Sequence, residues 1–229
     1  DINNPKSLLV GKHKSPDDLS KPACSCLKAL GNGIIASAGW HRQLHLWDIR
    51  QQTPISTVEL PGKAFSMDLD PKEQNLLAVA TSGRRTCFFD LRRTDDDKVT
   101  NAELVLDRES SLKYQTRCLR FFPDGNAIAI ASIEGRASVE YLDELGREAK
   151  GKKFAFKCHR VGDMVCPVNS IAFHPRFGTF ATGGCDGTVG TLINLFHTHS
   201  WGAHTVSFAF VHSDMGWSQQ EENLVVTCF

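Results

Sequence analysis

Four ten-residue segments of this chain share one pattern: a small or polar residue, alternating apolar residues, then a turn. An internal repeat restricts the fold more than any single motif does. The segments are CSCLKALGNG from Cys24, FSMDLDPKEQ from Phe65, RCLRFFPDGN from Arg117 and NSIAFHPRFG from Asn169, and three of them carry proline at the same place. Each runs directly into a second apolar stretch, IIASAGWHRQ, NLLAVATSGRR, AIAIASIEGRA or TFATGGCDGTV, which ends in a Gly or polar turn. A third run, QLHLWDIR, TCFFDLRR or ASVEYLDEL, closes three of the four.

Apolar alternation broken by Pro-Asp-Gly or Gly-containing turns predicts short antiparallel strands in a meander. The second stretches, Leu77 to Ala80 and Ala127 to Ala131, are apolar at every position, as expected where each sheet is sandwiched between neighbours. A two-sheet sandwich does not explain a unit that recurs at 41, 52 and 52 residues. The expectation is an all-β protein built as a β-propeller.

Composition bounds the function. Lys plus Arg and Asp plus Glu are both 26, a formal net charge of zero, so no whole-body field favours nucleic acid or a membrane, and any anion site must be local. The eight cysteines fall mostly inside apolar runs and are expected to be reduced core residues rather than a disulfide scaffold. Cys158-His159 followed by Cys166 has no matching second cluster to complete four ligands, and His197, His199 and His204 have no accompanying carboxylate or Cys pattern. Neither group predicts a metal, and no cofactor is expected. No nucleophile elbow, phosphate-binding loop or His-Glu-x-x-His motif is present, which argues against an enzyme with a small-molecule substrate.

Trp47-Asp48 at the end of a third run, Phe89-Asp90 and, more loosely, Tyr141-Leu142-Asp143 resemble the dipeptide that gives the WD-repeat family its name, and Gly11-Lys12-His13 is similar to that family's Gly-His element. On that resemblance residues 1–189 form a partial WD-repeat propeller. They hold the tail of one blade, blades from about 24, 65 and 117, and a partial blade from 169. Residues 190–229 break the repeat and are read as a divergent tail, disordered or mis-spliced, in which Val206 to Phe210 is a candidate first strand; an incomplete ring of about four blades would leave strand edges and apolar faces for a partner to cover.

The longer motifs RESSLKYQTRC from Arg108, SIEGRASVEYLD from Ser132, FAFKCHR from Phe154 and PVNSIAFHPRFGTFATGGCDG from Pro167 resemble the WD-repeat mitotic checkpoint proteins of the Bub family. The resemblance runs from Asp1 to about Val189, with Ser15 to Lys21 as an insertion. It implies a seven-bladed propeller and a non-enzymatic adaptor of the spindle assembly checkpoint. Such an adaptor is found in the nucleus and, in mitosis, at the kinetochore. It binds the GLEBS segments of checkpoint kinases and phosphorylated Met-Glu-Leu-Thr repeats of a kinetochore scaffold. The Rae/Gle mRNA-export factors of the nuclear pore share the fold and motifs like SIEGR and FKCHR, and stand as the alternative. Trp47-Asp48-Ile49-Arg50 also fits a short motif of propellers that serve as ubiquitin-ligase substrate receptors, so ubiquitin machinery is a further candidate partner.

In a propeller, the loop before each first strand and the loop between second and third strands open on one face, called the top. Arg117 begins a first strand, Arg136 follows the second-to-third turn of the same blade, and Lys157 is read as lying in the connection to the next blade. All three are expected at the top, and by resemblance they match the family's phosphothreonine-binding cations; the competing reading is that Arg117 pairs with Glu134 or Glu140. Arg84 and Arg85 occupy the same kind of turn one blade earlier and are candidates, with Trp40 and Glu134, for a partner-peptide surface. Trp40 is either packed or an anchor, and beside it His41 stands where the repeat usually has Asp.

Overall fold

A computed structural model describes residues 9–13, 23–51, 53–93, 99–147, 152–174, 179–192, 214–217 and 224–227. Their regular structure is strand, apart from two single-turn 3-10 segments. The first antiparallel sheet runs β1 (Cys24–Gly31), β2 (Ile34–Gly39), β3 (Gln43–Asp48) and β4 (Pro54–Glu59). The second runs β5 (Ala64–Leu69), β6 (Leu76–Thr81), β7 (Arg85–Arg93) and β8 (Val99–Glu109), and the third β9 (Thr116–Phe121), β10 (Ala127–Ser132), β11 (Arg136–Tyr141) and β12 (Phe154–Lys157). A short hairpin, β13 (Arg160–Val161) with β14 (Met164–Val165), precedes the fourth sheet of β15 (Val168–Phe173), β16 (Phe180–Gly184) and β17 (Val189–Leu192). β18 (Asp214–Trp217) and β19 (Leu224–Thr227) pair with each other. The remainder of 193–229, including His197, His199, His204 and Val206 to Phe210, lies outside the described residues.

The first strands β1, β5, β9 and β15 are spatial neighbours in that order, so the four sheets stand as blades around one axis. Side chains tie these inner strands together. Asp68 on β5 takes Lys28 Nζ of β1 at 2.5 Å and accepts the Phe121 N–H of β9 at 2.8 Å, which links three blades through one carboxylate. The outer strands β4, β8 and β12 extend the three-run pattern seen in the sequence.

Three apolar cores lie between successive blades, and the second strands feed two of them at once. Leu77 and Val79 of β6 join Leu44 and Leu46 of the first blade, while Leu76, Ala78 and Ala80 join Leu119, Phe121, Ile128 and Ile130 of the third. On β10, Ile128 and Ile130 face back to the second blade, and Ala127, Ala129 and Ala131 face Val168, Ile171 and Phe180 of the fourth. Every residue of β6 and β10 is buried, which is why these stretches are apolar without alternation.

Polar networks close the blade ends. In the fourth blade His159 Nδ1 lies 2.9 Å from Asp186 Oδ1, its Nε2 lies 2.9 Å from Thr182 Oγ1, and Asp186 also accepts the Thr188 N–H and hydroxyl. Burial works to raise the Asp186 pKa, but the hydrogen bonds from the Thr188 backbone, His159 and the Thr188 hydroxyl outweigh it and hold the carboxyl below its ordinary 3.8. In the third blade the strand register sets Glu140 and Tyr141 level with Trp47-Asp48 and Phe89-Asp90, one residue earlier than Tyr141-Leu142-Asp143 suggests. Glu140 is 4 % exposed and replaces the Trp47 ring with a charge: it accepts from the Ser111 N–H at 2.9 Å and hydroxyl at 2.7 Å and faces Arg108 Nη2 at 3.3 Å.

Two outcomes follow. Glu140→Ala removes the buried partner of the Arg108 guanidinium, which keeps the exposed Glu144 and the Tyr141 carbonyl, and should cost about 1.5–3 kcal/mol in denaturant unfolding; a loss within the usual surface range would remove Glu140 from the fold's supports. Asp186→Asn should cost about 1.5–3 kcal/mol at neutral pH. Because the folded pKa is depressed, the charge stabilises above 3.8 and its contribution is lost as pH falls through the folded value. The gap between parent and Asp186→Asn should therefore shrink below 3.8, and a gap that does not change with pH would contradict this.

Candidate functional site

The top of the third blade is organised by a β-bulge. Along β9, Cys118 pairs with Ala131 and Thr116 with Ser132, which leaves Arg117 as the extra residue. The same irregularity occurs at Ser25, Phe65 and Asn169 in the other first strands. The bulges at Ser25 and Arg117 turn their residues toward the next blade. Ser25 Oγ donates to the Ala64 carbonyl at 2.7 Å, and Arg117 Nε donates to Asn169 Oδ1, bulge to bulge, at 3.4 Å.

Across the sheet from this bulge, Ala131 pairs with Ala137, and one step nearer the blade end Arg136 pairs directly with Lys157. Lys157 is thus the last residue of β12, not part of a connection. Arg117, Arg136 and Lys157 form one row at the end of the blade, with Ser132 between. Strands spaced about 4.8 Å apart set the Arg117 and Arg136 backbones about 10 Å from each other, within reach of two long guanidinium side chains converging on one small anion. Arg136 Nε lies 3.2 Å from Glu134 Oε1. Glu134 and Glu140 thus partner Arg136 and Arg108, and neither has a recorded bond to Arg117. Lys157 is exposed and has no ion-pair partner among the described residues.

The turn that carries Arg136 is fixed from beneath. Gly135 has φ +60 and sits so close to the next segment that an added Cβ would lie 2.7 Å from the Cys158 carbonyl oxygen. Arg160 Nη2 donates to the Glu134 carbonyl at 2.8 Å and its Nε to the Gly135 carbonyl at 3.3 Å. Sequence reasoning passed over Arg160. The cue available was its place three residues after the strand that carries Lys157, on the same face as the turn.

The remaining candidates are distributed differently. Arg84, at φ +62, binds the Glu109 carboxylate and the Leu112 carbonyl, and Arg85 forms a two-point pair with Asp107, at 2.9 Å through Nε and 2.6 Å through Nη2. Both arginines therefore answer carboxylates of β8 instead of extending a free cationic surface from the third blade. Trp40 is 53 % exposed, which removes the packed alternative. Tyr114 and Ile133 are exposed on the loops of the third blade at the same end, and Ile133 N–H bonds the Gln115 carbonyl there. In Trp47-Asp48-Ile49-Arg50 the Arg50 guanidinium is turned back on buried Asp48, with both contacts at 2.7 Å.

The arrangement is a cationic row rimmed by exposed aromatic and aliphatic side chains, a surface for an extended anionic segment. The seven cysteines among the described residues are unpaired, and Cys87, Cys118 and Cys166 are buried. No helix among the described residues is long and apolar enough to cross a membrane.

Residues 152–190 match the family model for the WD domain, G-beta repeat. The chain is 46 % identical over 158 residues to the mitotic checkpoint protein bub3 of Dictyostelium discoideum, covering 67 % of this chain and 45 % of that one. It is 44 % identical over 198 residues to the mitotic checkpoint protein BUB3.1 of Arabidopsis thaliana, covering 82 % and 53 %. It is also 41 % identical over 196 residues to a poly(A)+ RNA export protein of Schizosaccharomyces pombe, covering 82 % and 50 %. The chain spans about half the length of the curated relatives it matches. With the bladed fold, the Gly-His and Trp-Asp positions and these identities, the chain belongs to the WD-repeat family and is similar within it to the Bub mitotic checkpoint proteins and to RNA-export proteins.

Proposed function

We propose that this protein is a non-enzymatic adaptor of the spindle assembly checkpoint whose third blade receives a phosphorylated Met-Glu-Leu-Thr segment of a kinetochore scaffold. The observation that carries the reading is the single row of Arg117, Arg136 and Lys157. A phosphothreonine brings a charge near −2 and three acceptor oxygens, which suit two planar guanidinium forks and one ammonium. Glu134, 3.2 Å from Arg136, holds that fork in place before binding and yields it to the more highly charged phosphate. Exposed Tyr114 and Ile133 supply apolar contact for the Met and Leu side chains of such a segment.

The same reading assigns GLEBS segments of checkpoint kinases as further partners, met at the top over the blades that carry Trp40, Arg84 and Arg85, and it assigns the protein to the nucleus and, in mitosis, the kinetochore. The RNA-export relatives favour a second reading, in which the cations meet an RNA backbone. The two differ in what they respond to: phosphate on one peptide residue, or ionic strength for every sequence.

Affinity of the chain for a Met-Glu-Leu-phosphoThr peptide should exceed that for its unphosphorylated twin about a hundredfold or more, since two charged hydrogen bonds contribute about 1.5–3 kcal/mol each. Arg136→Ala, at a partly exposed position that leaves the cores intact, should lose most of that difference, and Lys157→Ala about tenfold. Equal affinity for the two peptides, or an Arg136→Ala chain that binds as well as the parent, would sink the reading. Uniform weakening of RNA binding by salt together with indifference to phosphate would support the export role instead.

A further inference from the structure

Three imidazoles converge in the first blade. His13 lies ahead of β1, His41 in the β2–β3 turn and His45 within β3. His13 Nδ1 is 2.8 Å from His41 Nε2, which is 3.3 Å from His45 Nε2, and one ring nitrogen from each residue lies within 4.8 Å of the other two. His13 and Ser37 occupy the places that His159 and Thr182 occupy in the fourth blade, but His41 stands where that blade has Asp186.

Hydrogen bonding alone does not satisfy this arrangement. His41 Nε2 has one proton or one lone pair, yet it faces two ring nitrogens, and His41 Nδ1 is buried with no hydrogen-bond partner. The outward nitrogens of the other two rings are anchored: His13 Nε2 lies 2.8 Å from Ser37 Oγ, which also accepts the Trp47 indole N–H, and His45 Nδ1 lies 2.9 Å from Thr57 Oγ1. When those nitrogens donate, the lone pairs of His13 Nδ1 and His45 Nε2 point inward, beside that of His41. An oxygen partner on the far nitrogen is the usual support of a metal-bound histidine. Metal–nitrogen bonds of about 2.0–2.1 Å in a tetrahedron put ligand nitrogens about 3.3–3.4 Å apart, so the His41–His45 spacing already fits, while His13 must draw back from His41 and settle at the same spacing from His45, within whose 4.8 Å reach it already lies.

We propose that His13, His41 and His45 form a zinc(II) site, with three imidazole ligands and a fourth position taken by solvent or an external donor. The metal crosslinks the segment before β1 to the third strand of its own blade, in the place of the hydrogen-bonded His–Asp pair of the fourth blade.

Cobalt(II) serves as the probe, because its visible absorption reports tetrahedral nitrogen ligation and zinc displaces it without colour. The full chain, stripped with a chelator, should bind a single equivalent with such a band. His45→Gln should lose the band, and Thr57→Ala, at an exposed position, should weaken affinity about 10–100-fold while melting like the parent without metal. No band in the parent overturns the site. So does a band unchanged in His45→Gln, which would move the metal to the histidines beyond residue 192. Should His45→Gln fail to fold, an unchanged cobalt affinity in Thr57→Ala overturns the proposal by itself.

Discussion

Burial of both faces of a single strand is the constraint on which the rest of this molecule depends. In β6, successive residues go to different cores: Leu77 and Val79 to the first blade, Leu76, Ala78 and Ala80 to the third. β10 divides its side chains in the same way between the second and fourth blades. A slip of one residue would exchange Ile128 and Ile130 for Ala127, Ala129 and Ala131, and so put large side chains where small ones let blades approach and leave voids where they do not. Shape therefore fixes a register that hydrophobicity alone leaves open in a strand with no polar side.

The polar ends of the blades inherit that register. Once Ala131 is level with Cys118 and Ala137, the end of the blade must carry Arg117, Ser132, Arg136 and Lys157 in one row. The bulge at Arg117 adds a change of direction, aiming its side chain at Asn169 of the next blade rather than along its own. Charge balance then separates blades that have the same geometry. Arg85 begins β7 as Arg136 begins β11, but β8 sends Asp107 to one and β12 sends Lys157 toward the other. A net-neutral protein thus builds a local cationic row on the third blade where the second has ion pairs, through the composition of the outermost strand.

The fold was legible in the sequence because its signals are local and repeated: four apolar segments, their turns, and the apolar second strands. The strand register at Tyr141 was less so, because Glu140 holds the place of Trp47 and the nearest Asp after an aromatic residue, Asp143, lies beyond the Asp48 position. Arg84 and Arg85 look in the sequence like free turn arginines, since their carboxylate partners Glu109 and Asp107 are more than twenty residues away and on a strand that the three-run pattern omits. The meeting of His13 with His41 and His45 was hidden for the same reason. His41 was visible as a replacement for Asp, but a substitution does not show which ring nitrogens it will face until a segment 28 residues earlier folds onto it.

One backbone frame carries at least three chemistries at equivalent positions. The fourth blade joins a histidine to a carboxylate, the first joins histidine to histidine, and the third replaces the Trp47 indole with the carboxylate of Glu140 and answers it with Arg108 and three serines, Ser110, Ser111 and Ser138. Each substitution alters charge in a place where desolvation makes an unmatched group costly. The first blade has a histidine in place of the carboxylate that accepts from the ring in the fourth, while keeping the serine and indole on the other side of the ring. Because packing between β2, β6, β10 and their neighbours already determines where the strands lie, these buried polar groups are free to diverge as long as each finds a partner of its own, and that freedom gives blades of the same shape different surfaces and different ligands.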